Sequence, residues 1–135
     1  MYNRNWGKDR RRFQRLCLNL GVWYKGLRPD EVCNMLGNSE RQAVTLDISL
    51  LGMAFSCTYK IPTFSYLALK FIIFAAKNGI CSNLAIPVEV KAKVLSCVSH
   101  ENEYRIGVSF TGIDFETQQK LANFIRESSR PFIEF

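Results

Sequence analysis

The sequence predicts an all-β fold with one helix: a six-stranded antiparallel β-barrel followed by a C-terminal α-helix. Three observations lead to this prediction. Short strand-like segments recur along the chain, turn residues separate them, and only the C-terminal region shows a clear helical apolar stripe. With 135 residues, of which 47% are hydrophobic and 22% charged, the chain has the size and composition of one globular domain.

The predicted strands are rich in β-branched and aromatic side chains, and the longest alternates between valine or alanine and charged residues. Six segments fit this description: residues 16–24, 41–47, 53–58, 67–74, 86–98 and 104–110. Turn signals at residues 49–52, 77–79 and 100–103 separate consecutive segments. The connection over residues 25–40 is long, and its middle, residues 30–36, can form one helical turn.

The C-terminal helix has a start signal and a buried face. Asp114 is a suitable N-cap residue, because its short carboxylate can accept a hydrogen bond from the first turn of a helix. Leu121, Phe124 and Ile125 follow at i, i+3 and i+4 spacing and form an apolar stripe that ends near residue 126. We expect this helix to pack on the barrel.

Positive charge is concentrated at the N-terminus. Residues 1–15 contain six basic side chains and one acidic one, whereas residues 16–135 contain twelve basic and eleven acidic side chains. We expect residues 1–15 to form a flexible basic arm and residues 16–135 to form the barrel with its helix. Such an arm suits phosphate, nucleic acid or an anionic membrane surface, although in an arbitrary protein a solvated tail is the commoner explanation.

The spacing of the cysteines and the distribution of apolar residues predict a cytoplasmic protein. The five cysteines show no C-x-x-C spacing and there is a single histidine, so we expect reduced thiols, no metal site and no cofactor. The basic arm is not followed by the apolar region of a secretory signal. The most apolar stretch, residues 67–76, is too short to span a bilayer and contains Lys70.

The arm contains an R-x-x-x-R motif, formed by Arg11 and Arg15. Guanidinium groups form bidentate hydrogen bonds to phosphate oxygens and to the O6/N7 edge of guanine, and they stack on purine faces. Arg10 precedes the motif and has two readings: it adds a contact, which would favour a stacked pair of ligands, or it stays solvated. Arginines at this spacing can contact one phosphate- or guanine-bearing ligand together, and the alternative is a generic basic tail.

A D-x-S-x-x-G motif lies where the second predicted strand ends and consists of Asp47, Ser49 and Gly52. The carboxylate can accept from guanine N1–H and N2–H₂ or hold an arginine in place, and the hydroxyl can bond a phosphate or the turn backbone. Glycine permits a positive φ or the close approach of another backbone segment. Alone, this motif is more often an ordinary turn that closes a hairpin.

Together the two motifs are much more specific than either. An R-x-x-x-R arm entering a first strand, about thirty residues before a strand-terminal D-x-S-x-x-G, resembles the PilZ domain family. The resemblance extends to the Gly-Val-x-Phe of the last strand and covers residues 9–125. It implies the same barrel-and-helix fold and binding of the bacterial second messenger cyclic di-GMP. By position, it implies ligand contacts from Arg11, Arg15, Asp47, Ser49 and Gly52, with Arg10 as a further contact.

We therefore expect a cyclic di-GMP receptor whose arm wraps the ligand against the barrel, creating a surface that a downstream protein of unknown identity reads. Two alternatives are a basic-armed barrel that binds nucleic acid and a PilZ-like protein adaptor that binds no nucleotide. The nearly neutral body lacks a basic groove with interleaved aromatics, which disfavours nucleic acid, and the intact motifs disfavour the second alternative. An enzyme is the weakest class, because His100 has no evident nucleophile partner and there is no P-loop or Rossmann pattern.

Overall fold

The structure, a computed structural model, describes residues 16–17, 19–77 and 80–128. The predicted basic arm, residues 1–15, lies outside these residues. Seven strands and two helices succeed one another in the described part of the chain: β1 (Leu16–Cys17), β2 (Gly21–Arg28), α1 (Asp30–Leu36), β3 (Arg41–Ile48), β4 (Gly52–Cys57), β5 (Tyr66–Lys77), β6 (Ile80–His100), β7 (Glu103–Gly112) and α2 (Phe115–Ser128).

Six of the strands close into a barrel. They are hydrogen-bonded in the order β3, β2, β5, β6, β7, β4, and β4 pairs back to β3 to complete the ring. All of these pairings are antiparallel. Closure leaves no long unpaired sheet edge within the ring. The predicted six-stranded antiparallel barrel with a C-terminal helix is confirmed.

The first predicted strand, residues 16–24, is wrong in one respect: it is two strands, β1 and β2. β1 pairs with the last two residues of β3 and β2 pairs with its first half. Because β4 occupies the other side of β3, β1 and β2 lie along the same side of that strand. Between them, the N–H of Thr45 donates to the carbonyl of Leu20 at 2.7 Å, so β3 keeps a partner across the interruption.

The predicted helical turn at residues 30–36 is the seven-residue helix α1, which packs on β2. Val32 and Leu36 are buried in the main core. A Cβ atom on Gly26 would lie 3.1 Å from Cγ1 of Val32 and 3.2 Å from the backbone of Cys33. A glycine at this point of β2 therefore lets the helix lie close against the strand.

β5 and β6 are longer than predicted and pair with each other from Tyr66–Lys93 to Lys77–Ile80. The predicted apolar face of β6 is confirmed, since Val88, Val90, Ala92 and Val94 are all buried. The predicted turn at residues 77–79 is only partly testable, because residues 78 and 79 lie outside the described chain.

The C-terminal helix α2 is built as its sequence predicts. The carboxylate of Asp114 accepts a hydrogen bond from the N–H of Thr117 at 2.7 Å, and that bond lowers the pKa of Asp114 below its ordinary value. Leu121, Phe124 and Ile125 are buried, and the helix packs on β5 and β6. Neither helix of the described chain combines the length and apolar character needed to cross a bilayer.

Candidate functional site

Ser49 holds together the turn that connects β3 to β4. Its N–H donates to the carbonyl of Gly52 at 2.8 Å, and its Oγ accepts from the N–H of Leu51 at 3.2 Å. The residue is buried, with 3% of its surface exposed. Of the two roles that the sequence allowed for this hydroxyl, the structure shows the bond to the turn backbone.

Gly52 is required by the close approach of β7. It lies opposite Ser109, and a Cβ atom at Gly52 would stand 1.9 Å from the carbonyl oxygen of Val108. Its φ is not among the positive values, so close approach, and not a left-handed turn, explains the glycine. The carbonyl of Leu51 accepts from the N–H of Phe110 at 2.7 Å, which fastens the turn to β7 on its other side.

Asp47 is almost buried and forms an ion pair. Its residue exposure is 7%, and its Oδ2 accepts a hydrogen bond from Nη2 of Arg105 at 3.1 Å. The Arg105 side chain remains 44% exposed. The sequence analysis left open whether Asp47 binds a base or holds an arginine, and the structure shows the arginine contact.

Arg105 is the site residue that the sequence analysis missed. It lies on β7, 58 residues after Asp47 in the chain. The two side chains meet only because β4 lies between β3 and β7, where Ala54 opposes Asp47 and Ser56 opposes Arg105. Without the strand order and register, no local signal marks Arg105.

A shallow strip of small residues crosses the barrel beside this ion pair. Asp47 opposes Ala54, Ala54 opposes Gly107, and Gly107 opposes Ser96. A Cβ atom on Gly107 would lie 2.5 Å from the Oγ of Ser96, so the glycine keeps the strip low.

The strip faces outward. In β4 and β7, the neighbouring residues Phe55 and Ile106 are fully buried in the core, and successive residues of a strand point to opposite faces. Ala54, Gly107 and Arg105 therefore lie on the outward side of their strands. Gly107 is half-buried there, whereas Ala54 is covered and only 2% exposed, and the ion pair lies at the border of this strip.

The arm arginines Arg10, Arg11 and Arg15 lie outside the described residues, and their role stays a prediction. The described chain begins directly after them with β1, in which Leu16 opposes Ile48 and Cys17 opposes Asp47. The segment that leaves the arm is thus hydrogen-bonded to the end of β3 that carries the D-x-S-x-x-G motif.

Other residues considered from the sequence lie elsewhere. His100 is exposed at the end of β6, opposite Glu103, in the hairpin that joins β6 to β7. Cys33, Cys57 and Cys97 are free thiols, and of these three only Cys57 is fully buried.

Solved structures with a similar architecture include two PilZ domains. The inhibitor of motility MotI/DgrA of Bacillus subtilis superposes with a TM-score of 0.66 at 19% identity, over 90% of this chain. The match covers 54% of MotI, so the chain spans about half the length of that protein. The PilZ domain of YcgR from Escherichia coli, solved with c-di-GMP, gives a TM-score of 0.56 at 16% identity, covering 87% of this chain and 89% of that domain.

A third structure, the PilZ domain of CeSA from a cellulose-synthesizing bacterium, gives a TM-score of 0.55 at 12% identity, covering 84% of this chain and 95% of that domain. At these identities the likenesses show a shared fold. No curated protein matches the chain by sequence. The family model of the PilZ domain, however, matches residues 9–127, a span that includes both motifs, the whole barrel and almost all of α2. The chain therefore belongs to the PilZ domain family.

Proposed function

We propose that the chain is a cyclic di-GMP receptor that acts as an adaptor, without catalysis and without a resident cofactor. The proposal rests above all on the pairing of β1 with β3, which sets Cys17 opposite Asp47. Arg15 precedes Cys17 by two residues in the sequence, which supports an R-x-x-x-R motif that can reach the D-x-S-x-x-G motif.

The chemistry of the two motifs suits this ligand. Cyclic di-GMP carries two phosphates, which Arg11 and Arg15 can bind as bidentate guanidinium partners, and two guanines. The Asp47 carboxylate lies at the border of the outer strip and can accept from a guanine N1–H and N2–H₂. The PilZ domain of YcgR, which shares this fold, was solved with c-di-GMP. These features together support a guanine-bearing dinucleotide.

The proposed mechanism is a ligand-driven switch. In the absence of ligand, the like charges of the arm repel one another and disfavour a compact arrangement. The ligand then bridges the arm arginines to the corner formed by Asp47, Ser49 and Gly52, and a partner protein reads the new surface. The signal passes by protein contact.

Calorimetric titration with cyclic di-GMP tests the proposal directly. We expect micromolar or tighter binding, with cyclic di-AMP much weaker, because adenine replaces the O6 acceptor by a donor and lacks the N2 donor. Equal affinity for the two dinucleotides would refute guanine recognition. Steeply salt-dependent binding of random single-stranded RNA at comparable affinity would favour the nucleic-acid alternative. Binding of none of these ligands would favour the adaptor that binds only protein.

The arm offers its own matched controls. Arg11→Ala and Arg15→Ala should each weaken binding by about 2 kcal/mol, or roughly thirtyfold, with no change in folding stability. In an extended arm Arg12 points away from the side shared by Arg11 and Arg15, so Arg12→Ala should be nearly silent, with Arg10→Ala intermediate. Equal losses for all four variants, erased by added salt, would show that the arm acts only through its charge.

A further inference from the structure

We infer that Arg105, which belongs to neither motif, is a specificity-determining residue that binds the O6/N7 edge of the same guanine whose N1–H and N2–H₂ meet Asp47. The inference rests on the proposed function and deepens it, because it assigns the second half of the base edge to a residue of the barrel. It follows from the arrangement of one carboxylate and one guanidinium on neighbouring strands.

The ion pair leaves most of the guanidinium available. A single hydrogen bond of 3.1 Å joins Nη2 of Arg105 to Oδ2 of Asp47. An arginine side chain has five N–H donors, so four are not used by this bond. The Arg105 side chain is 44% exposed while that of Asp47 is 9% exposed, so the solvent-facing part of the pair is chiefly the guanidinium.

The pair matches guanine in the order of its hydrogen-bonding groups. Guanine presents the donors N2–H₂ and N1–H, followed by the acceptors O6 and N7. A carboxylate faces the two donors, and a guanidinium at its side faces the two acceptors. Adenine places an amino donor at the O6 position, which would oppose the N–H groups of Arg105 and leave both donors unpaired.

The surface beside the pair is low at Gly107. On the outward side of β7, Gly107 stands two residues from Arg105, and across from it on β4 lies Ala54. Gly107 is half-buried and has no side chain, whereas Ala54 is only 2% exposed, so the edge of a purine can approach Arg105 over Gly107.

A structural role explains why the nearly buried Asp47 has a charge partner, but it does not explain why the Arg105 side chain is left 44% exposed. Glu103, the acidic residue on the same outward side of β7, already accepts a hydrogen bond from Ser56 on β4. The Arg105 guanidinium is directed instead to Asp47, the motif aspartate.

The test uses cyclic di-GMP and its analogue with 7-deazaguanine, which lacks the N7 acceptor. Wild-type protein should bind the analogue about tenfold more weakly than cyclic di-GMP. Arg105→Ala should bind cyclic di-GMP about tenfold more weakly than wild type and should lose much of the difference between the two ligands. Arg126→Ala, which removes an exposed arginine of α2, should behave as wild type in both titrations.

The outcomes separate the inference from the proposed function. If wild-type protein does not bind cyclic di-GMP, both fail. If it binds and Arg105→Ala binds equally well, only the inference fails. If Arg105→Ala weakens binding but keeps the full preference over the 7-deaza analogue, Arg105 merely positions Asp47 and the inference is overturned. Should the alanine variant not fold, Arg105→Lys tests the same point, because a lysine cannot reproduce the bidentate contact.

Discussion

Replacement of Gly52 by alanine should destabilise the barrel by about 2–4 kcal/mol even without ligand. The new Cβ would stand 1.9 Å from the carbonyl oxygen of Val108, whereas real Cβ contacts essentially never fall below 3.0 Å, so β4 and β7 would have to separate by more than 1 Å. Overpacking of this kind costs about 1–3 kcal/mol. The separation also weakens the bond from Phe110 to the Leu51 carbonyl, and such a bond contributes about 1 kcal/mol.

Urea denaturation of the ligand-free protein, followed by circular dichroism, measures this effect. Gly112→Ala is the matched control, because a Cβ there meets only Cβ of Lys91 at 3.9 Å, an ordinary contact, and should change stability by less than about 0.5 kcal/mol. If Gly52→Ala were as stable as Gly112→Ala, the close approach of β7 to Gly52 would not limit the stability of the barrel. The glycine of the motif would then have to be explained by the ligand.

Three further substitutions test the core, a buried phenol and a helix cap. Leu121→Ala should cost about 2–4 kcal/mol in the same urea experiment, because its side chain is fully buried, whereas Leu84→Ala, 65% exposed, should be nearly neutral. Burial raises the pKa of Tyr24 above its ordinary value of 10. The contribution of its neutral phenol to folding stability is therefore complete below pH 10 and is lost at higher pH, because the unfolded chain ionises there first. Tyr24→Phe should therefore reduce the decline in stability above pH 10, and an unchanged alkaline profile would contradict the assignment. Asp114→Ala should lower the thermal midpoint of unfolding at neutral pH. Because the pKa of the Asp114 carboxyl is lowered in the folded protein, the difference from wild type should shrink as the pH falls below the ordinary pKa of aspartate. A difference that did not vary with pH would exclude a charged cap.

Most of the fold could be predicted because apolar and polar residues alternate along its strands, whereas the apolar residues of its last helix follow a helical spacing. The period of two along β6 identified its buried valines, and the i, i+3, i+4 stripe of α2 identified its core contacts. The break between β1 and β2 was not predictable, since both segments contain strand-forming residues and the interruption depends on how they lie against β3. The extra length of β5 and β6 arises because the two strands hydrogen-bond to each other, and backbone pairing requires no alternating pattern.

The candidate site, too, could be predicted from the sequence only in part. The spacing of Asp47, Ser49 and Gly52 predicted a turn at the end of a strand, and the structure has that turn. Sequence reasoning could not choose between the alternative roles of Asp47 and Gly52, because that choice depends on what approaches from β7. Arg105 was missed for a related reason: its contact with Asp47 depends on the register of three strands, and register is a long-range property.

The roles within the D-x-S-x-x-G motif are consequently unequal. The Ser49 hydroxyl accepts from the turn backbone, and the space that a side chain on Gly52 would need is filled by a carbonyl of β7. Both residues therefore act first on the shape of the corner. Under the proposed function, recognition of a base would rest on the Asp47–Arg105 pair, of which the guanidinium is the more exposed partner. Changes at the turn should thus alter affinity together with stability, whereas a change at Arg105 should alter ligand preference while the barrel stays folded.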